Sequence, residues 1–161
     1  MSSRSPCLVR VVALLVLTVP AIAFPADHAA AGKLIERGRY LVRISGCNDC
    51  HTSGYAESGG TIAEKEWLTG NWVGFRGPWG TTYPANLRLV LSRLDEAEWI
   101  RIGHTTQFRP PMPWFALRDM RTEDLRAIYH FVRHLGPAGS PAPAFVPPGQ
   151  APNGPAIQFP G

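Results

Sequence analysis

The strongest repeat of apolar positions in the chain is Leu125, Ile128, Tyr129, Val132 and Leu135, spaced by three and four residues. That spacing lines one side of a 3.6-residue turn and predicts a helix over Thr122–Leu135. Thr122 reads as its N-cap, Glu123 and Asp124 suit the positive end of the helix dipole, and Arg133 and His134 suit the negative end. Gly136-Pro137 stops it. A second helix is predicted over Ala29–Ser45, with Leu34, Ile35, Tyr40, Leu41 and Ile44 as its apolar surface and Arg37, Arg39 and Arg43 turned elsewhere. Gly38 is costly inside such a helix, which predicts close approach by another helix. Over Leu94–Ile102, Asp95 at the N-cap and Glu98 three residues later form a capping-box pattern flanked by Leu94 and Trp99, and Gly103 is placed to end the segment. No strand pattern competes, so the expectation is an all-α domain.

Between these segments the periodicity fades. Residues Thr52 to Pro84 are rich in glycine and carry Trp67, Trp72, Phe75, Trp79 and Tyr83 without a regular spacing. A loop of this length is unusual unless it has a job, such as wrapping a flat cofactor. The final stretch, residues 137–161, holds eight prolines and excludes a regular helix. Two forms are open to it: a disordered tail, or an extended strap held by Phe145, Val146, Ile157 and Phe159.

At the N-terminus, Arg4 and Arg10 precede the apolar run Val11–Val19, then Pro20 and the small-x-small stretch Ala21-Ile22-Ala23. This is the pattern of a secretory signal peptide over residues 1–23, too short to span a bilayer comfortably; an uncleaved membrane anchor is the alternative. Cleavage would remove Cys7 and leave two cysteines, with a lead-in over 24–32, a domain over 33–136 and the proline-rich tail over 137–161. It would also lower the sixteen basic residues to fourteen, against twelve acidic ones. With so small an excess and no basic stripe, nucleic acid is not an expected partner. A domain of roughly a hundred residues is marginal without an internal staple.

The chemistry lies in Cys47-Asn48-Asp49-Cys50-His51. Two thiols one helical turn apart can each add to a vinyl group of one haem, with the adjacent imidazole held beneath the iron as its proximal ligand. A lone C-x-x-C also suits a thioredoxin-like redox pair, half a zinc site or a small disulfide. Zinc would need a second ligand pair, and thioredoxin chemistry a βαβ context, neither of which the flanking sequence offers. His51 is expected to use Nε2 for iron while its other ring nitrogen donates to a backbone carbonyl. The opposite axial position has one leading candidate, Met112 in Pro110-Pro111-Met112-Pro113, where proline-restricted backbone stiffens the loop. Met120, His104 and an open site are the alternatives, while His28, His130 and His134 read as surface or cap residues. A thioether favours Fe(II), raises the potential and closes the iron to oxygen.

Taken together, Cys47, Cys50 and His51, the Gly38/Tyr40 pair, Pro111-Met112-Pro113-Trp114 and Glu123-Asp124-Leu125-Arg126-Ala127-Ile128-Tyr129 resemble a class I c-type cytochrome. The type is the monohaem one also found as cytochrome domains and subunits of periplasmic dehydrogenases. Trp67-Leu68-Thr69-Gly70 and Gly80-Thr81-Thr82-Tyr83-Pro84-Ala85-Asn86 resemble that family's intervening loops. Two features depart from it: no short Gly-Pro link follows His51, and Leu87–Leu94 replaces an acidic, glycine-rich stretch common in dehydrogenase subunits. The resemblance implies three to five helices around one covalent haem c, a first helix crossing the last, and Met112 as the sulfur ligand. It also implies that Thr81, Tyr83 and Asn86 lie near the haem edge or propionates. The expected role is one-electron transfer in the periplasm between a donor and an acceptor protein, without substrate turnover of its own and without a membrane span after cleavage. The alternatives are a dedicated dehydrogenase or oxidase subunit and a five-coordinate haem sensor or peroxidase.

Overall fold

Helix α1, Pro25–Ile44, lies across helix α6, Thr122–Leu135, and this crossing is the most extensive contact between elements. Gly38 makes the crossing possible: a Cβ there would lie 2.0 Å from the Ala127 carbonyl oxygen and 2.7 Å from Phe131 Cβ. The computed structural model describes residues 25–160, so the signal-peptide expectation for residues 1–23 and Cys7 fall outside the described residues, as does the side chain of His28.

Leu41 and Val42 on α1 and Leu125, Ala127, Ile128, Phe131 and Val132 on α6 are buried at the interface and in the core around it. Two expectations for α1 are corrected. Tyr40 and Ile44 are exposed, at 57% and 59%, because α6 takes the neighbouring stripe around Gly38 and Leu41. On α6 the apolar face extends to Phe131, which meets Trp67 edge-on at 6.2 Å, and Trp67 in turn meets Tyr55 at 5.8 Å. Thr122 is the first helical residue, with Arg121 at the cap position.

Helix α4, Glu96–Thr105, begins with the full capping box: Glu98 N–H donates to Asp95 at 2.8 Å and Asp95 N–H donates to Glu98 at 3.1 Å. Gly103 does not end it. It sits buried inside the helix against Leu125, whose Cδ1 would lie 2.9 Å from an added Cβ, so packing on α6 explains the glycine rather than termination. Trp99 Nε1–H donates to the Leu125 carbonyl at 2.8 Å across the same contact.

Three short helices join these: α2, Cys47–His51; α3, Leu87–Leu91; and α5, Trp114–Asp119. The described residues thus hold six helices rather than three to five, and they are not all-α. Strands β1, Gly74–Gly77, and β2, Gly80–Thr82, form an antiparallel hairpin, and β3, Ala156–Gln158, adds to β1 in parallel, in the order β2-β1-β3. These strands have three or four residues and no apolar alternation, so period-two patterning gave no sign of them.

The proline-rich C-terminal segment takes the strap form. Val146 exchanges backbone hydrogen bonds with Thr81 at 2.8 and 3.0 Å, Gly74 N–H donates to Pro155 at 2.9 Å, and Phe159 N–H donates to Arg76 at 2.8 Å. Phe159 packs on Phe75 and Trp79, with ring centroids 6.0 and 5.7 Å away. Gly80, at φ +99°, lets the strap this close: a Cβ there would lie 2.3 Å from the Val146 carbonyl oxygen. Among the described residues, no helix is long and apolar enough to cross a membrane.

Candidate haem site

Helix α2 places Cys47, Cys50 and His51 on one short turn that starts from Gly46 in the left-handed region, at φ 70°. Its inner side is fixed by a buried pair: Thr52 Oγ1–H donates to Asn48 Oδ1 at 2.8 Å, and Leu68 N–H donates to Thr52 Oγ1 at 2.8 Å. Leu68 itself is fully buried with φ 61°, a conformation of about 1 kcal/mol or more for a non-glycine residue. It lies where the chain turns back beside the motif.

His51 is held through one ring nitrogen and through its backbone carbonyl. Nδ1–H donates to the Ala85 carbonyl at 2.7 Å, which leaves Nε2 unprotonated with its lone pair free. The His51 carbonyl accepts from Gly70 N–H at 2.8 Å. Gly70, at φ +89°, lets the Pro84–Asn86 segment reach the ring, since a Cβ there would sit 3.0 Å from Asn86 N and 3.1 Å from the Pro84 oxygen. Burial lowers the imidazole's pKa, partly opposed by the Ala85 hydrogen bond, so the ring is neutral at physiological pH. A neutral, orientationally fixed imidazole is what an iron ligand requires.

The thiols do not resemble a redox pair. Burial pushes Cys47 up to about 11, and Cys50 is raised by burial and then by Asp49. Thioredoxin-type chemistry needs a lowered thiol pKa. The two cysteines are not joined to each other. Nor do three or more His, Cys, Asp or Glu side chains gather around a common point among the described residues.

Met112 lies in the irregular segment between α4 and α5. Its N–H donates to Arg109 at 3.2 Å, its carbonyl accepts from Trp114 N–H at 2.9 Å, and its half-buried side chain packs against the core cluster. Met120, the rival thioether, also packs against that cluster. His104 has both ring nitrogens engaged: Nδ1–H donates to Arg118 at 3.0 Å and Nε2 accepts from Thr122 Oγ1 at 3.4 Å. His130 Nε2–H donates to Glu96 at 2.8 Å, and His134 is exposed.

The three residues suggested for the cofactor edge differ in how much of their polar capacity is free. Thr81 is buried and its Oγ1 has no partner. Tyr83 is buried, and its hydroxyl oxygen accepts from Asn153 N–H at 2.7 Å, leaving its own proton to donate. Asn86 is committed to the chain itself. Its Oδ1 accepts from Leu89 N–H at 3.1 Å as the N-cap of α3, and Nδ2 donates to Ala138 and Ser140 at 2.8 and 3.1 Å.

Sequence reasoning did not single out several residues that matter. Trp79 Nε1 and Thr82 Oγ1, in the same hairpin as Thr81, are buried donors without partners, as is Asn48 Nδ2 beside the motif. Buried donors are rarely left unpaired in native proteins, so three in one hairpin point to an acceptor-bearing group. The buried Arg88 donates to the Gly136, Leu135 and Lys65 carbonyls, capping α6 with a cation. Trp79 did stand among the aromatics of the loop expected to wrap a flat cofactor, whereas Asn48, Thr82 and Arg88 carried no signal of their own.

Tested against a haem, the donor set fits: free, half-buried thiols, a neutral imidazole with Nε2 open, a soft thioether on a separate loop, and unpartnered buried donors able to meet carboxylates. The described part of the fold is a mainly helical domain presenting this set.

Known proteins point the same way. The chain is 30% identical over 129 residues to the cytochrome c subunit of a quinone alcohol dehydrogenase from Gluconobacter oxydans (strain 621H), covering 71% of this chain and 24% of that protein. It is 28% identical over 118 residues to the equivalent subunits from Gluconacetobacter polyoxogenes and Komagataeibacter europaeus, covering 65% of this chain and 22% of each. The chain therefore spans about a quarter of the length of these curated relatives. These distant similarities support a cytochrome c-like family and electron transfer in general. No protein-family model matches the chain, and no solved structure matches it.

Proposed function

We propose that this chain is an exported, class I-type monohaem cytochrome c of the periplasm that passes single electrons between a donor and an acceptor protein. In this reading Cys47 and Cys50 would hold haem c through thioethers, and His51 Nε2 and the Met112 sulfur would be the iron's protein ligands. The carrying observation is the His51 Nδ1–Ala85 hydrogen bond, which fixes the ring and leaves Nε2 open directly beside the two thiols. When bound, the haem supplies a one-electron Fe(III)/Fe(II) couple.

The chain's own contribution is coordination and exclusion of water. A Met112 ligand would close the iron to gases and peroxide; its side chain is half-buried against the core, as is that of Met120. His104 is already doubly hydrogen-bonded, so Met112 and Met120 are the remaining rivals. Thr81, Tyr83 and Trp79 are offered as donors to the propionates, whereas Asn86 acts on the site by holding its own loop.

A second reading, a dedicated cytochrome subunit of a periplasmic dehydrogenase, is favoured by the relatives being named as cytochrome c subunits of a quinone alcohol dehydrogenase. Copurification from the native host separates the two: a stoichiometric dehydrogenase partner selects the subunit, and a monomer reducible by several donors selects the free carrier.

The site is tested with the haem-loaded protein. Low-spin iron, the weak near-infrared-edge band of ferric iron bound to sulfur and slow carbon monoxide binding are expected. Loss of that band in Met112→Ala, with a lower potential, supports Met112; retention moves the ligand to Met120. A high-spin wild type that binds carbon monoxide rapidly is the result that would end the carrier reading in favour of a sensor or peroxidase.

A further inference from the structure

The Met112 segment is the least supported part of the site. Residues 106–113 have no regular secondary structure, and within them the turn from Arg109 to Met112 is closed by a single 3.2 Å backbone hydrogen bond. What meets this segment from outside is the C-terminal strap. The guanidinium of Arg109 lies 4.0 Å from the centroid of the Phe145 ring, and among the described residues it pairs with no carboxylate.

Phe145 is presented rigidly. The next residue, Val146, is buried and exchanges two backbone hydrogen bonds with Thr81, while Gly80 lies tight beneath its carbonyl. Seven and five residues upstream, Ala138 and Ser140 are held by Asn86. The strap is therefore pinned on both sides of Phe145 to elements that also carry the proximal side of the site. Arg109 is exposed, and a cation over a ring at this distance is an attraction that does not depend on a salt bridge.

We propose that Phe145 is a positioning residue for the sixth iron ligand: through Arg109 the strap clamps the Met112 turn and sets how often the thioether leaves the iron. The proposal rests on Met112 being that ligand. A loop held at one end by proline geometry and at the other by a cation–aromatic contact has few ways to swing its sulfur away. Losing the contact raises the population of the open, five-coordinate form. Carbon monoxide, which binds only that form, reports it directly.

The test uses the full-length haem-loaded protein with Phe145→Leu, Phe145→Tyr and Arg109→Gln. Phe145→Leu keeps apolar bulk and removes the ring face; Phe145→Tyr restores it. We expect carbon monoxide to bind the ferrous Phe145→Leu and Arg109→Gln proteins about two- to fivefold faster than wild type, from the size of such contacts at exposed sites. The double variant should be no faster than either single one, and Phe145→Tyr should match wild type. Amide exchange at Met112 and Trp114, read independently of iron, should accelerate by a similar factor in the two loss variants and not at His51. If the wild type shows the sulfur-to-iron band and all variants keep wild-type carbon monoxide rates and exchange, the clamp is overturned and Met112 ligation stands. If the wild type lacks the band, or Met112→Ala retains it, the ligand reading fails and takes the clamp with it. Faster binding in Phe145→Tyr as well would assign Phe145 a merely structural role and also overturn the proposal.

Discussion

The two loops that carry the proposed iron ligands are built on opposite principles. His51 sits at the end of a five-residue helix, with its ring, its carbonyl and its neighbours Asn48 and Thr52 all bonded to adjacent segments. Met112 sits in irregular chain, half-buried, held by one turn and by contact with the core. The proximal side is a network of bonds around the short helix, with the ring itself fixed by one bond to the Ala85 carbonyl. The distal side is an irregular loop that packs on the core and meets the strap through Arg109 and Phe145. If both loops ligate iron as proposed, such an arrangement would keep the cofactor in place while leaving ligand exchange to a few weak contacts.

The largest effect that would break this contrast is on the proximal side. Cys47→Ala together with Cys50→Ala is expected to abolish covalent haem on a denaturing gel, while each single variant leaves one attachment and a changed optical spectrum. On the distal side, Met112→Ala is expected to retain covalent haem fully and to lose only the sulfur band and the high potential. If Met112→Ala also lost the cofactor, the division of labour between the two loops would be wrong.

Asn86→Ala sharpens the comparison next. It removes a helix N-cap, worth about 1 kcal/mol, and two bonds to the strap of about 1 kcal/mol each. A loss of about 2–3 kcal/mol in chemical denaturation is expected, given rough additivity. Because Asn86 adjoins Ala85, whose carbonyl orients His51, the variant should also disturb the proximal ring.

Thr81→Val is a smaller and more discriminating change. Replacing a buried hydroxyl that has no partner within the chain should be neutral or slightly stabilising in haem-free protein. In the haem-loaded protein the same variant should instead destabilise and shift the potential, if the hydroxyl donates to a propionate. The same sign in both forms would remove Thr81 from the site.

The smallest expected effect concerns Glu96, which ties α4, the helix leading into the distal loop, to α6. The hydrogen bond from Arg126 and, secondarily, that from His130 hold its carboxyl below the ordinary 4.5. A depressed carboxyl contributes stability above its unfolded value and loses it as pH falls through the folded one. Glu96→Gln should therefore cost a little stability near neutrality and nothing once acid has protonated Glu96 in the wild type, as read by denaturation midpoints across that range. The pair is half-exposed, so the effect is screened by salt.

Much of the local structure was legible in the sequence, for reasons that differ from residue to residue. The proposed attachment motif is local: its thiols and imidazole must be a turn apart, and a five-residue segment carries that constraint whole. Helix α6 announced itself because one face packs and the other meets solvent. Asp95 and Glu98 were readable because a capping box is closed within four residues. Gly38 was correctly read as a close approach, although Gly103, with the same chemistry, was read as a helix end and is in fact a second packing notch. A glycine signals a missing side chain without saying which neighbour needs the space.

What the sequence by itself determined is the chemistry: two thiols, an imidazole beside them, a proline-flanked thioether, and helices where apolar spacing required them. Only the tertiary structure decided which groups are free to use that chemistry. The Ala85 carbonyl that turns His51, the bonds that occupy Asn86 and His104, and the placing of Arg109 over Phe145 all join separate segments of the chain, while the donors of Trp79, Thr81 and Thr82 are left without a partner within it. The three-stranded sheet belongs to the same class, since its third strand comes from a proline-rich tail with no strand pattern. Pairing between distant segments depends on where the chain returns, and periodicity along one segment holds no record of that.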